Sequence, residues 1–419
     1  MGLTTLHITN SYHPTSGGIR TFYHALLDAG NEVGRSVRLI VPGPRTTIEE
    51  VGAFGRIYSV KAPQAPVFDR RYRLIMPSAF MPAVRSEVID ILERERPDVV
   101  ELCDKYSLPY LAAMLRKRWH PRVPRPALVG LTCERFDDNM SAYVSDAPWA
   151  RAFTCWYIRH IYGPPFDAHI ANSDYTAGEL RSALHDREPW FIRTCPMGVD
   201  ADGFGPSRRN PALRAHLLRR ARGTAESTLV FYAGRLSPEK NITLLVDAMR
   251  ELAVDPAHDF RLATAGDGPL ADQLRGQATG ILEGRIVLCG NLTRETLADY
   301  CASCDVFVHP NPREPFGIGP LEAMASGVPV VVPDSGGVLE YASSENAWLA
   351  APTATAFADA IRAARGGDDA RIARAAATAD RFRWREATRR YFDAYDDIHR
   401  SVSRRRAGVF EPASSVRAL

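Results

Sequence analysis

HPNPREPFGIGPLEAMASGVPVVVP, residues 309–333, is the stretch of this sequence that decides the fold. Pro320 suits the first turn of a short helix, and Gly327 suits its end. The apolar residues 328–332 that follow predict a buried strand. A glycine-rich turn that leads into a short helix and then a buried strand is typical of an α/β sheet with parallel strands.

Two carboxylates flank this glycine-rich turn, Glu314 before it and Glu322 after it. Carboxylates are acceptors and suit hydroxyl donors. Backbone amides at the start of a helix favour an anion instead. Here those amides belong to Phe316, Gly317, Ile318 and Gly319. A ligand with phosphate in its middle and hydroxyls at both ends fits both demands, and a sugar nucleotide is such a ligand.

Composition narrows the class of protein. At 419 residues the chain is too long for one ordinary core. Its net charge of +3 gives no reason to expect nucleic acid as a partner. The first residues predict a strand and not a signal peptide, and apolar runs are too short for a transmembrane helix. Seven scattered cysteines favour a reducing compartment, so we expect a cytoplasmic protein.

Strand and helix patterns alternate along most of the chain, which predicts two Rossmann-like α/β domains facing each other across a cleft. We place the domains at residues 1–205 and 206–384, with a helix at 385–402 returning to the first domain. Residues 353–401 are expected to be helical throughout. Strands are predicted near residues 3–9, 37–41, 98–102, 127–132, 167–172, 228–233, 260–265, 285–288, 305–309 and 328–332.

The segment FYAGRLSPEKN, residues 231–241, follows a predicted strand and opens a helix. Gly234 permits a tight turn, and Arg235 and Lys240 project from the loop and the helix start. Two cations there can neutralise a diphosphate. Alone, the pair would read equally well as two solvated surface charges. Its combination with the two carboxylates favours a binding site.

Two further glycine motifs end predicted strands. One, residues 263–269, contains Gly266 and Asp267, and the other contains Gly17 and Gly18. Such glycines let a nucleotide or phosphate approach the backbone at the carboxyl edge of a sheet. The motif with Gly17 and Gly18 lacks the G-x-G-x-x-G spacing of a dinucleotide site, so a nicotinamide cofactor is disfavoured. For either motif, an ordinary turn would look the same.

Four motifs occur in order along the chain: G-G-I at 17–19, G-R-L-S-P-E-K-N at 234–241, G-D-G-P at 266–269 and E-P-F-G-I-G-P-L-E at 314–322. Together they resemble glycosyltransferase family 4, the retaining enzymes of the GT-B fold. The resemblance extends over almost the whole chain. It implies that the first domain binds the acceptor, the second binds the nucleotide sugar, and the product belongs to glycoconjugate biosynthesis.

The resemblance also implies a role for each matching residue. Arg235 and Lys240 are expected to hold the donor diphosphate, Glu314 to meet hydroxyls of the transferred sugar and Glu322 to accept from the ribose. Gly17 and Gly18 are expected to close on the phosphates. The remaining positions expected to line the nucleotide site are Gly234, Gly266, Asp267, Asn291, Leu292, Phe316, Gly317 and Ile318.

The implied reaction is the transfer of a hexose to an acceptor hydroxyl on the face that the phosphate leaves. Protein cations stabilise the leaving group, so neither a metal nor a cofactor is expected. One departure from the family is Cys133–Glu134, where many members carry a histidine. Glu134 is a candidate to contact the sugar or the acceptor, and an altered loop for another acceptor explains the change equally well.

Other interpretations remain open at this point. A sugar-nucleotide epimerase or phosphorylase of the same fold, or a sugar-nucleotide sensor without turnover, would share these motifs. Cys301 and Cys304 form C-x-x-C but lack a second pair, so buried thiols are favoured over a metal site. Residues 115–126, LRKRWHPRVPRP, predict either a solvated basic loop or contact with the inner face of a membrane.

Overall fold

The computed structural model describes residues 2–13, 17–65, 72–82, 84–188 and 191–408. The first sheet contains β1 Thr5–Thr9, β2 Val37–Gly43, β3 Thr47–Val51, β4 Gly55–Lys61, β5 Val99–Cys103, β6 Ala127–Thr132, β7 Ala168–Ala171 and β8 Ile192–Thr194. Its helices are α1 Gly18–Val33, α2 Glu87–Glu95, α3 Leu108–Arg116, α4 Phe136–Tyr143, α5 Pro148–Tyr157 and α6 Asp174–Ala183.

The second sheet contains β9 Thr228–Ala233, β10 Phe260–Ala265, β11 Ile286–Leu288, β12 Val306–Val308, β13 Val330–Pro333 and β14 Trp348–Ala350. The helices of this half are α7 Pro211–Arg220, α8 Ile242–Ala253, α9 Ala271–Gln277, α10 Arg294–Ser303, α11 Ile318–Ala325, α12 Ala354–Arg365 and α13 Asp369–Arg381. The last helix described is α14 Trp384–Arg406.

In both sheets, helices cover the central strands on both faces. The first sheet has the order β3-β4-β2-β1-β5-β6-β7-β8 and is parallel except for β3, and the second has the order β11-β10-β9-β12-β13-β14. Right-handed crossovers then place α2, α3, α5 and α6 on one face of the first sheet and α1 on the other. Strands covered on both faces are fully buried, as β13 is, although β1 and β5 carry the buried polar residues His7 and Glu101.

All ten strands predicted from the sequence are present, within a few residues of their expected limits. Four strands at or near the sheet edges were missed: β3, β4, β8 and β14. Residues 353–401 are not helical throughout, because the chain breaks near Gly366–Gly367 and again at Phe382–Arg383 to give α12, α13 and α14. Gly367 has a φ of 69°, which ends the helical path before α13.

Helix α14 returns to the first half, as predicted. The Tyr391 hydroxyl donates to the Cys195 carbonyl over 2.7 Å, and the Tyr395 hydroxyl donates to the buried carboxylate of Glu101. Glu101 also accepts from Tyr23 over 3.0 Å and lies 3.0 Å from His7 Nδ1. This buried network fixes the last helix against β1 and β5 from the far end of the sequence.

The chain passes between the two halves at two adjacent segments. The Val199 amide donates to the Phe382 carbonyl over 2.7 Å, and the Trp384 amide donates to the Val199 carbonyl over 3.1 Å. A Cβ at Gly198 would lie 2.5 Å from the Trp384 ring, so the two segments touch closely. These passes lie near the predicted limits of 205 and 384, and the exact domain limits stay a prediction.

His169 on β7 is a titratable side chain that lies in the apolar core of the first half. It is fully buried, with the rings of Tyr162, Phe166 and Phe191 within about 5 Å. Burial lowers the pKa of His169 to about 3, with the Gly163 backbone opposing only in part. The imidazole is therefore neutral in the folded protein at every ordinary pH.

No helix within the described ranges is both long enough and apolar enough to cross a bilayer.

Candidate active site

A cleft of about 1370 Å³ lies between the two halves, at the carboxyl edges of both sheets. Strands β9, β10 and β12 run parallel, so the loops that follow them meet at one edge. The predicted site residues that line this cleft are Gly17, Gly18, Glu134, Gly234, Arg235, Lys240, Gly266, Asp267, Asn291, Leu292, Glu314, Phe316, Gly317, Ile318 and Glu322. The structure therefore brings together every residue of the predicted site, whose individual roles stay predictions.

Glu314 is the centre of a buried polar cluster. Lys240 Nζ lies 3.0 and 2.8 Å from its two carboxylate oxygens, and Asn311 Nδ2 donates to Oε2 over 3.1 Å. His309 Nε2 lies 3.2 Å from the same oxygen. Burial would raise the pKa of Glu314, but Lys240 and His309 outweigh it and hold that pKa well below its usual range. Glu314 therefore stays ionised and accepts hydrogen bonds, and its loop holds the Lys240 ammonium at the cleft.

The turn after Glu314 depends on a glycine. Gly317 has a φ of 81°, and a Cβ there would lie 3.1 Å from Glu314 Cγ. This conformation aims the start of α11 at the cleft, where the first amides of a helix have no partner within the helix. The same amides carry the positive end of the helix dipole. The site thus offers amides and a cation side by side, which is what a phosphate requires.

Glu322 lies on the buried face of α11, with Arg294 as its partner. Arg294 Nη1 is 3.1 Å from Glu322 Oε1, and Arg294 Nε is 3.5 Å from Asp200. Burial raises the pKa of Glu322, and Arg294 opposes that rise. Arg294 therefore helps to keep this carboxylate ionised, and an ionised carboxylate accepts from hydroxyl donors through both oxygens.

Arg235 extends from the loop after β9 towards the first half. Its guanidinium lies 3.6 Å from Glu239 and donates to the Tyr72 hydroxyl over 3.2 Å. The guanidinium carbon also lies 5.6 Å from the centre of the Tyr72 ring. Because 39% of the Arg235 side chain is exposed, it remains accessible to a ligand in the cleft.

The β9 and β10 loops approach one another through glycine. A Cβ at Gly266 would lie 2.0 Å from the Gly234 carbonyl oxygen, and Gly266 has a φ of 124°. Its amide donates to the Gly290 carbonyl over 2.8 Å, beside Asn291 and Leu292. These contacts form one wall of the cleft, and binding of the nucleotide against it stays a prediction.

From the first half, two features face this wall. A Cβ at Gly18 would lie 3.3 Å from Ile318 Cδ1, so the starts of α1 and α11 approach each other across the cleft. Glu134 follows β6, where its carboxylate accepts from Asn139 over 3.0 Å. Burial raises the pKa of Glu134, with Lys105 opposing the rise.

Four residues of the site were not singled out from the sequence: Lys105, Arg294, His309 and Asn311. Lys105 is 1% exposed, and its ammonium donates to Glu179 and to the Glu134 carbonyl, each over 2.6 Å. The position of His309 and Asn311 just after β12 could have indicated from the sequence that they belong to the site.

Cys301 and Cys304 are buried free thiols, and the described residues contain no group of three or more His, Cys, Asp or Glu suited to a metal.

Two known families match the chain. "Glycosyltransferase Family 4" matches residues 16–202, and "Glycosyl transferases group 1" matches residues 218–376. Among relatives, GDP-mannose-dependent alpha-(1-6)-phosphatidylinositol dimannoside mannosyltransferase of Mycobacterium tuberculosis is 30% identical over 361 residues, covering 86% of this chain and 87% of the relative. GDP-mannose-dependent alpha-mannosyltransferase of Corynebacterium glutamicum is 27% identical over 337 residues, covering 80% and 73%.

Solved structures support the same fold. The catalytic domain of starch synthase IV from Arabidopsis thaliana, bound to ADP and acarbose, superposes with a TM-score of 0.71 at 15% identity and covers 96% of this chain and 100% of its own. Sucrose-phosphate synthase from Thermosynechococcus elongatus gives a TM-score of 0.70 at 18% identity, covering 95% and 100%. The sequence matches and the two-sheet architecture agree, and the chain belongs to glycosyltransferase family 4 as a GT-B enzyme that uses a nucleotide sugar.

Proposed function

We propose that this enzyme is a retaining hexosyltransferase that moves mannose from GDP-mannose to an acceptor hydroxyl without a metal or cofactor. The observation that carries the proposal is the grouping of two cations, two carboxylates and a helix start on one wall of the cleft. The names of the relatives in Mycobacterium tuberculosis and Corynebacterium glutamicum support the donor.

In this proposal each group of the ligand meets its chemical complement. Arg235, Lys240 and the start of α11 bind the diphosphate, because cations and helix amides favour phosphate oxygens. Glu314 accepts from hydroxyls of the transferred hexose, and Glu322 accepts from the ribose. The base lies against the backbone near Leu292.

The reaction follows from where the positive charge lies. The bond between the anomeric carbon and the phosphate oxygen breaks, while Arg235 and Lys240 stabilise the charge that develops on the leaving diphosphate. The acceptor hydroxyl forms its new bond on the face that the phosphate leaves, and its proton passes to a phosphate oxygen. Same-face attack retains the anomeric configuration. The two cations supply the charge stabilisation that a divalent metal supplies in other enzymes.

We also propose peripheral contact with the inner face of the cytoplasmic membrane through residues 115–126. In this segment Arg116, Lys117, Arg118 and Arg122 are exposed, and 50% of the Trp119 surface is accessible. Lys117 Nζ lies 5.7 Å from the centre of the Trp119 ring. Basic side chains beside an exposed tryptophan suit an anionic lipid surface.

A transfer assay tests the proposed reaction. GDP-mannose, UDP-glucose and ADP-glucose are compared as donors in membrane extracts, and the anomeric configuration of the product is read by NMR. Arg235→Ala and Lys240→Ala are expected to lower kcat by about 10²–10³-fold each. Arg250→Ala, on the exposed side of α8, is the matched control and keeps wild-type turnover.

Each alternative result of this assay supports a different conclusion about the enzyme. An inverted product, or wild-type turnover in both variants, contradicts the mechanism. Release of an altered sugar nucleotide without an acceptor indicates an epimerase. Thermal stabilisation by a nucleotide without product in any extract indicates a sensor.

A further inference from the structure

Helix α5 exposes a row of large aromatic side chains. Trp149, Phe153 and Trp156 have 57%, 41% and 52% of their surface accessible. Their spacing of four and three residues puts them on one side of the helix, and the rings of Phe153 and Trp156 stack with centres 6.1 Å apart. Soluble surfaces rarely expose large contiguous apolar patches without an interaction to make. We call Trp149, Phe153 and Trp156 the aromatic ridge.

The aromatic ridge is continuous with the acceptor half of the cleft. The ring centres of Phe153 and Phe136 are 6.3 Å apart, and those of Phe136 and Tyr106 are 5.6 Å apart. Tyr106 lines the cleft, as does the exposed Tyr110 on neighbouring α3. A molecule bound on the ridge therefore lies next to the place where an acceptor enters.

Two long stretches of sequence beside the ridge carry no negative charge, and the two acids of neighbouring α4, Asp137 and Asp138, both lie against Arg135. Residues 105–133, which contain α3, and residues 147–166, which contain α5, include no Asp or Glu. Both helices pack on the same face of the first sheet, through Leu111 of α3 and the partly buried Tyr157 of α5. Arg151 and Arg159 are paired with Asp146 and Asp186, so these two cations add no net charge to this face. Residues 115–126 pack into the same core cluster through Leu115 and Val123, and their exposed cations add positive charge there.

We propose that the aromatic ridge docks on an anionic lipid bilayer and that the acceptor is a membrane lipid whose headgroup reaches into the cleft. Tryptophan and phenylalanine on one side of a helix insert at the boundary between headgroups and acyl chains, and cations nearby attract anionic lipid. A second copy of the chain is a poorer occupant, because a two-fold interface would place these basic surfaces against each other. The acceptor part of the inference rests on the proposed transferase function, and the docking part does not.

Vesicle flotation tests the docking. The full chain is mixed with phosphatidylcholine vesicles with or without one-third phosphatidylglycerol, and the floating fraction is measured. The test variant is W149S/F153S/W156S. The matched control, V33S/I48S/V254S, removes three exposed apolar side chains far from α5. Melting temperature and size-exclusion volume establish that each variant is folded.

Wild type and the control variant are expected to float with anionic vesicles, and the ridge variant is expected to bind at least tenfold more weakly. Wild type that stays in solution, or a ridge variant that binds as wild type does, overturns the docking. A dimer that the ridge variant converts to monomer also overturns it, in favour of a second copy. Donor hydrolysis without acceptor separates the two proposals, since it reports the transferase site and is expected to survive in the ridge variant.

Discussion

Replacement of His169 by leucine is expected to remove a large part of the acid sensitivity of this protein. His169 is buried among aromatic rings, and within the described residues neither ring nitrogen has a hydrogen-bond partner of ordinary geometry. The folded protein therefore holds the imidazole neutral, whereas the unfolded chain is free to protonate it. Protonation then favours unfolding, and leucine has a similar volume but cannot take up a proton.

The magnitude follows from the two pKa values of His169. It titrates near pH 6.5 in an unfolded chain and at a pKa of about 3 in the folded protein. Because the folded pKa is lowered, the unfolded state binds more protons between these values, and stability falls as the pH drops below 6.5. At about 1.4 kcal/mol per pH unit, this side chain costs about 2 kcal/mol of stability between pH 7 and pH 5.

Urea unfolding at pH 7 and pH 5 measures this effect. The loss of unfolding free energy between the two pH values should be about 2 kcal/mol smaller in His169→Leu than in wild type. His216→Leu, at an exposed position on α7, controls for the loss of a histidine and should change with pH as wild type does. An equal loss in wild type and His169→Leu would refute the argument from burial.

Three further outcomes are expected. Arg294→Leu removes the cation that opposes the raised pKa of Glu322, so the acidic limb of the kcat/KM profile for the donor should move to higher pH. Tyr395→Phe removes one donor from the buried Glu101 carboxylate and should cost about 2 kcal/mol in urea unfolding. Glu134→Gln should lower transfer to the acceptor by tenfold or more while donor hydrolysis continues. If hydrolysis and transfer fall together, Glu134 serves the donor instead.

Strands were easiest to recognise in the sequence where they are buried, because a short, continuous apolar run there favours a strand. Strand β13 is buried at every residue, so its sequence is a continuous apolar run that stands out from its surroundings. Strand β3, TIEEV, lies at an edge with most of its residues exposed. Its two glutamates are acceptable there because solvent reaches them, and they conceal the strand pattern.

Grouping of the site was predictable, but its internal contacts were not. Motifs that follow parallel strands must meet at one edge, which is why Gly234, Gly266 and Glu314 share a cleft. Lys240 and Glu314 are 74 residues apart, and no local pattern announces that they pair. In the sequence, Arg294 is an ordinary cation at the start of a helix. Its partner Glu322 is determined by how α10 packs beside α11, which no local pattern shows.

The adjacent hydrogen-bonded passes at Val199 and Phe382–Trp384 restrict how the enzyme can open. Two covalent tethers that lie together act as a single pivot, so one half can rotate relative to the other about this point but cannot easily slide past it. The greatest excursion is then at the rim opposite the pivot. Substrates should be admitted and products discharged there, and a bulkier residue at Gly198, pressed against Trp384, should disturb turnover without touching either substrate.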